Sequence, residues 1–471
     1  MAENMGPPHF VLIPWLAQGH LIPMLDIARL LAAAGAAVTV ITTAANAPAS
    51  TSPLPSSLRI CVIPFPSPAL TGLPSGCESV DSLPSRHLAG PFYSASKLLR
   101  DPIERLLLHG HPPSPRPSCI LFGIGFPWLA SLARDALPVP RIVFQGFSSF
   151  THLASHFLHA YGTHELASSP GDNFLLPGLP HRVEITRSKL PVFFDKASEV
   201  RGVYEEMREG EVAADGVIVN SFEGLEPEYS GLFAREAGKK VWTVGPVSMC
   251  RREGGDVALR GRKASSAERC VEWLKGKGVG SVVYVSFGSN GLLKPEQMVE
   301  LGMGLVKSRR AFLWVVREGG PPPPAEAEGM GERGMVIRGW GPQLLALSQA
   351  AVGGFLTHCG WNSVVEAVAA GVPMMTWPLG ADQFLNEKLV VNVLKVGVEV
   401  GRRGDGGGLV RREEVARAVE RVMGDGGEGN ELRRRAMELA GKARMAMEEE
   451  GGSSYMNLKQ LIHDVSCWPG A

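Results

Sequence analysis

Short apolar runs alternate with longer stretches of helical periodicity along most of this chain. Residues 9–14 read as a buried strand, 21–34 as a helix stopped by Gly35, and 37–43 (AVTVITT) as a second buried strand. That is the right-handed βαβ opening of a doubly wound sheet. Residues 50–91, rich in Pro, Ser and Gly, predict long loops over the sheet edge, and 97–109 a helix. Strands are predicted at 119–123 and 141–144. The first leads through Phe126-Pro127-Trp128 into a helix reaching Asp135, and the second into an apolar helix running through His159. Residues 214–220 and 241–244 predict two more strands, ending at Gly245-Pro246.

A charged, Gly-bearing segment, 249–266, then breaks the pattern and reads as a linker between domains. The alternation resumes with a strand at 282–287, a helix at 297–307 and a strand at 312–316. Residues 318–334, with four consecutive prolines, predict an exposed loop. A buried parallel strand at 351–357 (AVGGFLT) follows, then a helix at 364–370, stopped by Gly371-Val372-Pro373, and a strand at 374–377. Further helices are expected from Asn386, at 412–423, at 430–450 and at 453–465, with a Gly-rich loop at 402–408. The layout is α/β: an N-terminal domain over 1–248, the linker 249–266, a C-terminal domain over 267–450 and a terminal segment 451–471.

Composition narrows the function. A chain of 471 residues that is 45% hydrophobic has ample core for two or three domains. Lys and Arg balance Asp and Glu at 47 each, so no basic surplus points to nucleic acid or an acidic membrane surface. The first residues lack a basic n-region and no apolar run approaches a membrane span, so neither a signal peptide nor stable membrane insertion is expected. Seven scattered cysteines without CxxC spacing suit reduced thiols in a cytoplasmic protein.

The densest chemistry lies in residues 340–383, WGPQLLALSQAAVGGFLTHCGWNSVVEAVAAGVPMMTWPLGADQ. Asn362 and Ser363 stand where a helix begins, beside free backbone N–H groups and the positive end of the helix dipole. That is a site for phosphate or pyrophosphate. Glu366, one turn on, is within reach of a pair of sugar hydroxyls. The turn Gly288-Ser289-Asn290 after the strand at 282–287 adds hydroxyl and backbone donors. In the first domain the turn after strand one carries no GxGxxG. It reads Ala17-Gln18-Gly19-His20, which puts His20 at the mouth of a helix, where the dipole disfavours the imidazolium. A neutral imidazole there suits either a helix-capping role or a general base. Phe126, Phe144, Phe147 and Phe150 supply aromatic surface for a flat, apolar acceptor, or ordinary core packing.

The 340–383 stretch resembles the signature box of plant family 1 UDP-dependent glycosyltransferases. The resemblance implies the GT-B arrangement, two Rossmann-like doubly wound domains facing a central crevice. It implies that Trp340 stacks on uracil and Gln343 bonds its edge. His358, Asn362 and Ser363 would hold the pyrophosphate and Glu366 the ribose, while Trp361, Asp382 and Gln383 meet the sugar. A final Gln is the residue the family associates with glucose. It further implies that His20 is the catalytic base, that residues 176–191 form an acceptor-side loop, and that the last helix returns to the N-terminal domain. The expected reaction is inverting transfer of glucose from UDP-glucose to a small hydrophobic acceptor such as a phenolic or flavonoid, by a monomer. UDP-glucose is a co-substrate, with no cofactor, and the chain has no Asp-x-Asp motif to suggest a catalytic metal.

One position departs from the family pattern. The usual Asp partner of the catalytic His falls on Gly123 in the run Cys119-Ile120-Leu121-Phe122-Gly123-Ile124-Gly125-Phe126-Pro127-Trp128. An acid in that role fixes the tautomer and stabilises the imidazolium. Asp26 or His152 could stand in for it. The alternatives are a weakly active or inactive nucleotide-sugar-binding homologue, or an enzyme forming N-, S- or C-glucosides.

Overall fold

The computed structural model describes residues 6–48, 54–110, 116–195, 197–250, 264–289, 291–401 and 408–469. Most of the predicted linker, most of the Gly-rich loop at 402–408, and Asn290 lie outside them.

Two parallel sheets organise the chain. The first contains β1 (His9–Ile13), β2 (Ala37–Thr43), β3 (Leu58–Ile63), β4 (Cys119–Gly123) and β5 (Arg141–Phe144). A small antiparallel hairpin of β6 (Asn173–Leu175) and β7 (Glu184–Thr186) interrupts the series before β8 (Gly216–Val219) and β9 (Lys240–Thr243). The seven strands lie in the order β3-β2-β1-β4-β5-β8-β9. The second sheet contains β10 (Val282–Ser286), β11 (Ala311–Val316), β12 (Gly334–Arg338), β13 (Val352–Thr357), β14 (Met374–Thr376) and β15 (Gly397–Glu399). Its order is β12-β11-β10-β13-β14-β15. In each sheet the order reverses beside the first strand, between β1 and β4 and between β10 and β13. The carboxyl ends of strands at such a reversal open a crevice for ligands.

The inner strands are apolar on both faces, as helices covering both sides of a parallel sheet require. Phe10, Leu12, Leu121 and Ile142 pack beneath one layer of helices, and Val11, Ile13, Ile120 and Val143 beneath the other. The helix Ser453–Ser466 lies on the first sheet. Leu458, Leu461 and Val465 join the core there, Trp242 donates from Nε1 to Asp464 at 3.2 Å, and Asn457 donates to the Thr243 carbonyl at 3.1 Å.

Three expectations need correction. The region 50–91 is not loop throughout: it holds β3 and a short helix, Pro68–Thr71. The proline-rich loop likewise ends in an unanticipated strand, β12. The helix expected to reach Asp135 is only a 3-10 turn, Pro127–Ala130, followed by turns. Ala133 there has φ 49°, which no right-handed helix admits.

Candidate functional site

The crevice is built from the carboxyl ends of β1, β10 and β13. After β1 the chain turns at Trp15-Leu16-Ala17 into the helix Gln18–Ala33, which carries His20 in its first turn. After β13 it turns through His358-Cys359-Gly360 into the helix Trp361–Ala370, so Asn362 and Ser363 do begin a helix. Cys359 takes φ 65° in that turn, its N–H held by Thr357 Oγ1 at 3.2 Å.

On the second domain's side, Gln343, Ser363 and Glu366 form one cluster. Gln343 donates from Nε2 to Ser363 Oγ at 3.0 Å and to Glu366 Oε2 at 2.8 Å. Trp340, next to this cluster in sequence, is 37% exposed. His358 lies across the end of β10. A Cβ on Gly288 would come within 2.6 Å of its ring, and one on Gly360 within 2.5 Å, so both positions must be glycine for the imidazole to lie there. Burial lowers His358 to about 4, and its Nδ1 has no protein partner. Ser289, in the turn beside it, is half-buried.

Asp382 is buried and held up to about 6, with Asn386 Nδ2 donating to it at 2.7 Å. Gln383 accepts through Oε1 from the Leu379 and Gly380 N–H groups at 2.7 and 3.1 Å. This fixes the turn and leaves its amide nitrogen as the available donor.

Two predicted donor residues bridge the domains through their side chains. Trp361 is 2% exposed and donates from Nε1 to the Asn220 carbonyl at 2.8 Å; its indole is enclosed, so only its backbone could meet a sugar. Asn362 donates from Nδ2 to the Gly19 carbonyl at 2.8 Å and accepts from Asn220 Nδ2 at 3.3 Å. Sequence reasoning did not anticipate Asn220, at the end of β8, as the hub of this contact. Nor did it anticipate Asn386, whose Oδ1 accepts from Ser148 and Thr151 of the first domain at 3.3 and 3.1 Å. Neither carries a local sequence signal.

On the first domain's side, burial lowers His20 to about 4, while the Asp81 carboxylate pulls the other way. The imidazole is therefore neutral near pH 7, and its buried Nδ1 has no protein partner. Phe144 meets it edge-on, ring centroids 6.1 Å apart, and the Gly146 backbone passes beside Nδ1. Phe147 is half-buried near the same loop. Phe126 and Phe150 are 1% and 0% exposed, the one packed edge-on against Trp15 and the other against Tyr229. These two, together with Phe144, which is also 0% exposed, follow the core-packing alternative and offer no open face to an acceptor.

Gly123 has a steric cause. A Cβ there would lie 2.4 Å from the Trp15 backbone nitrogen, and one on Gly125 would lie 2.0 Å from the Trp15 ring. Trp15 occupies the space where a side chain on β4 would point. The proposed stand-ins do not reach His20 either. Asp26 is buried against Arg29 at 3.1 Å and Cys250 at 3.6 Å. His152 pairs with Glu211 at 3.5 Å and stacks on Phe233. Among the described residues no group of three His, Cys, Asp or Glu side chains is placed to hold a metal ion.

Comparison with known proteins gives the family. Residues 246–428 fit the family model described as "UDP-glucoronosyl and UDP-glucosyl transferase". The chain is 44% identical to UDP-glycosyltransferase 73D1 of Arabidopsis thaliana, over 97% of this chain and 96% of that one. It is 42% identical to UDP-glycosyltransferase 73E1 of Stevia rebaudiana, over 98% of each. Its structure superposes with a TM-score of 0.89 on Glycyrrhiza uralensis UGT73P12 complexed with glycyrrhetinic acid 3-O-monoglucuronide, at 36% identity over 98% and 96% of the two chains. Phytolacca americana UGT2, complexed with UDP-2fluoro-glucose and pterostilbene, gives 0.77 at 28% identity, over 98% of this chain and 100% of that one. With relatives this similar along nearly its whole length, the chain belongs to the plant family 1 UDP-glycosyltransferases, GT-B enzymes that transfer a sugar from a UDP-sugar co-substrate.

Proposed function

We propose that the chain transfers glucose from UDP-glucose to a hydroxyl of a small, flat, hydrophobic acceptor such as a phenolic, with inversion at the anomeric carbon. The observation that carries this reading is the Asn362–Gly19 bond, which sets the donor-side helix against the start of the helix bearing a neutral His20. In the reaction His20 takes the acceptor's proton as the acceptor oxygen bonds to the anomeric carbon from the face opposite UDP. The bond from that carbon to the UDP oxygen breaks, and UDP leaves with the electron pair. Charge growing on UDP is met by the N-terminus of the helix Trp361–Ala370, by Ser363 and by the turn carrying Ser289. Trp340 stacks on uracil, Gln343 bonds its edge, and Glu366 holds the ribose. Asp382 and the Gln383 amide hold the sugar hydroxyls, which suits glucose. Phe147, half-buried in the loop beside His20, is the aromatic side chain left to meet the acceptor.

The chemistry proposed here uses no metal. We place the enzyme in the cytoplasm, a reading supported by its seven free cysteines, and take it to act as a monomer. Among the described residues no helix is long and apolar enough to cross a membrane. The test is product analysis with UDP-glucose and a panel of phenols, thiols and amines, reading the anomeric configuration by NMR. A β-O-glucoside is expected; an α-glucoside, or transfer only to nitrogen, sulfur or carbon, contradicts the proposal.

A further inference from the structure

A base in the first turn of a helix is badly placed to accept a proton. The dipole's positive end opposes the imidazolium, and the helix Gln18–Ala33 has no acidic residue of its own in that turn. The carboxylate expected from β4 is excluded because Trp15 fills its space. A different carboxylate lies at the same helix end. Asp81, in the 3-10 turn Val80–Ser82, accepts the Gln18 N–H through Oδ2 at 2.6 Å, two residues before His20. We propose that Asp81 is the positioning residue that supports His20 as a base, supplying from a loop the negative charge that strand β4 cannot.

Three observations support this. First, the loop is held rigidly against the His20 turn. Val80 donates its N–H to the Leu16 carbonyl at 2.9 Å, and Ser79 donates from Oγ to Asp81 Oδ2 at 3.1 Å. Second, two buried polar atoms lack protein partners here, His20 Nδ1 and Asp81 Oδ1. They are not bonded to each other, but their chemistry is complementary. A histidine that takes a proton on Nε2 carries its resting proton on Nδ1, a donor, and the carboxylate oxygen is an acceptor. Third, the neighbours beside His20 named above are uncharged: Phe144 at the end of β5, Gly146 just after it, and Asn362 of the second domain through the Gly19 carbonyl. Asp81 is the charged group that acts on His20.

The second domain also reaches this loop, since Arg317, just beyond β11, donates to the Asp81 carbonyl oxygen at 3.0 Å. The carboxylate that supports the base is thereby tied to the domain that holds the donor.

The inference rests on the reading of His20 as the base, and the experiment separates the two. Asp81→Asn keeps an oxygen to accept from Gln18 N–H but removes the charge. Turnover is measured with UDP-glucose and a series of substituted phenols of graded acidity, beside melting temperature and UDP affinity. The expected result is unchanged melting and UDP affinity, with kcat reduced about tenfold or more for the least acidic phenol and progressively less for more acidic ones. Asp81→Glu, which keeps the charge, should restore part of the loss. If Asp81→Asn folds poorly, Asp81→Ser offers another capping oxygen and gives the same comparison. Wild-type turnover across the series, or a loss equal for all phenols, overturns the role of Asp81. An active His20→Ala enzyme overturns the base reading itself; an inactive one beside an unaffected Asp81→Asn overturns only this inference.

Discussion

Asn362 of the second domain donates from Nδ2 to the backbone carbonyl of Gly19 at 2.8 Å, the peptide immediately before His20. One side chain thus fixes the distance between the helix that faces the leaving group and the base that faces the acceptor. Asn362→Ala removes this bond and leaves Asn220 Nδ2 without its acceptor. A neutral hydrogen bond contributes about 0.5–1.5 kcal/mol, so kcat/KM should fall by about 2- to 12-fold while the melting temperature changes little. Asn362→Asp cannot donate to Gly19 and adds a negative charge beside the pyrophosphate, so it should lose more. Steady-state kinetics in which Asp is better tolerated than Ala contradict this role.

Glu366 sits in the cluster with Gln343 and Ser363 at the donor-side helix. If it holds the ribose hydroxyls, Glu366→Ala should weaken UDP binding by about 1.5–3 kcal/mol, the range for hydrogen bonds to a charged group. Calorimetry with UDP reads this directly, and an unchanged affinity removes the assignment.

Restoring an acid on β4 should fail. With the Trp15 backbone nitrogen 2.4 Å from a Cβ on Gly123, even Gly123→Ala forces the β1 turn to move, and overpacking of this kind costs about 1–3 kcal/mol. Gly123→Asp adds a buried charge to that strain. Thermal melts should show Gly123→Ala destabilised and Gly123→Asp more so, without a gain in turnover. A well-folded, more active Gly123→Asp enzyme would show that Trp15 yields.

The parts of the fold that were legible in the sequence are those buried on both faces. β1, β2, β4, β10 and β13 each carry an apolar run long enough to stand out. β3, β12 and β15, which were missed, are all sheet edges: the apolar run of β3 lies inside a Pro- and Ser-rich stretch read as loop, and β12 and β15 are short strands of five and three residues. The donor-side residues were legible because one strand-turn-helix unit and its flanks carry most of them. Trp15 over Gly123, Asp81 at the His20 helix and the asparagines between domains depend on contacts across dozens to hundreds of residues. No local spacing encodes such contacts.

The two crevice histidines predict a pH dependence of stability. Burial lowers His20 and His358 to about 4 in the folded chain, whereas an unfolded histidine titrates near 6.5. Between those values the unfolded chain binds protons that the folded chain does not. Their contribution is therefore complete above about pH 6.5 and is lost as the pH falls towards 4. Asp382 and Glu387, raised to about 6 and about 7, work in the opposite direction, so the difference between wild type and His358→Gln is the informative quantity. Urea unfolding should show the stability of wild type relative to His358→Gln declining from pH 7 to pH 5. A constant or rising difference contradicts a neutral His358 in the folded chain.

Whether His20 removes the acceptor's proton is read from turnover of His20→Ala with UDP-glucose and a phenol, beside calorimetric UDP affinity and a thermal melt. UDP affinity and melting should stay at wild-type values while turnover falls by about a hundredfold or more, the scale of general-base catalysis. A His20→Ala enzyme that binds UDP normally and turns over within about threefold of wild type, far inside that scale, contradicts His20 as the base.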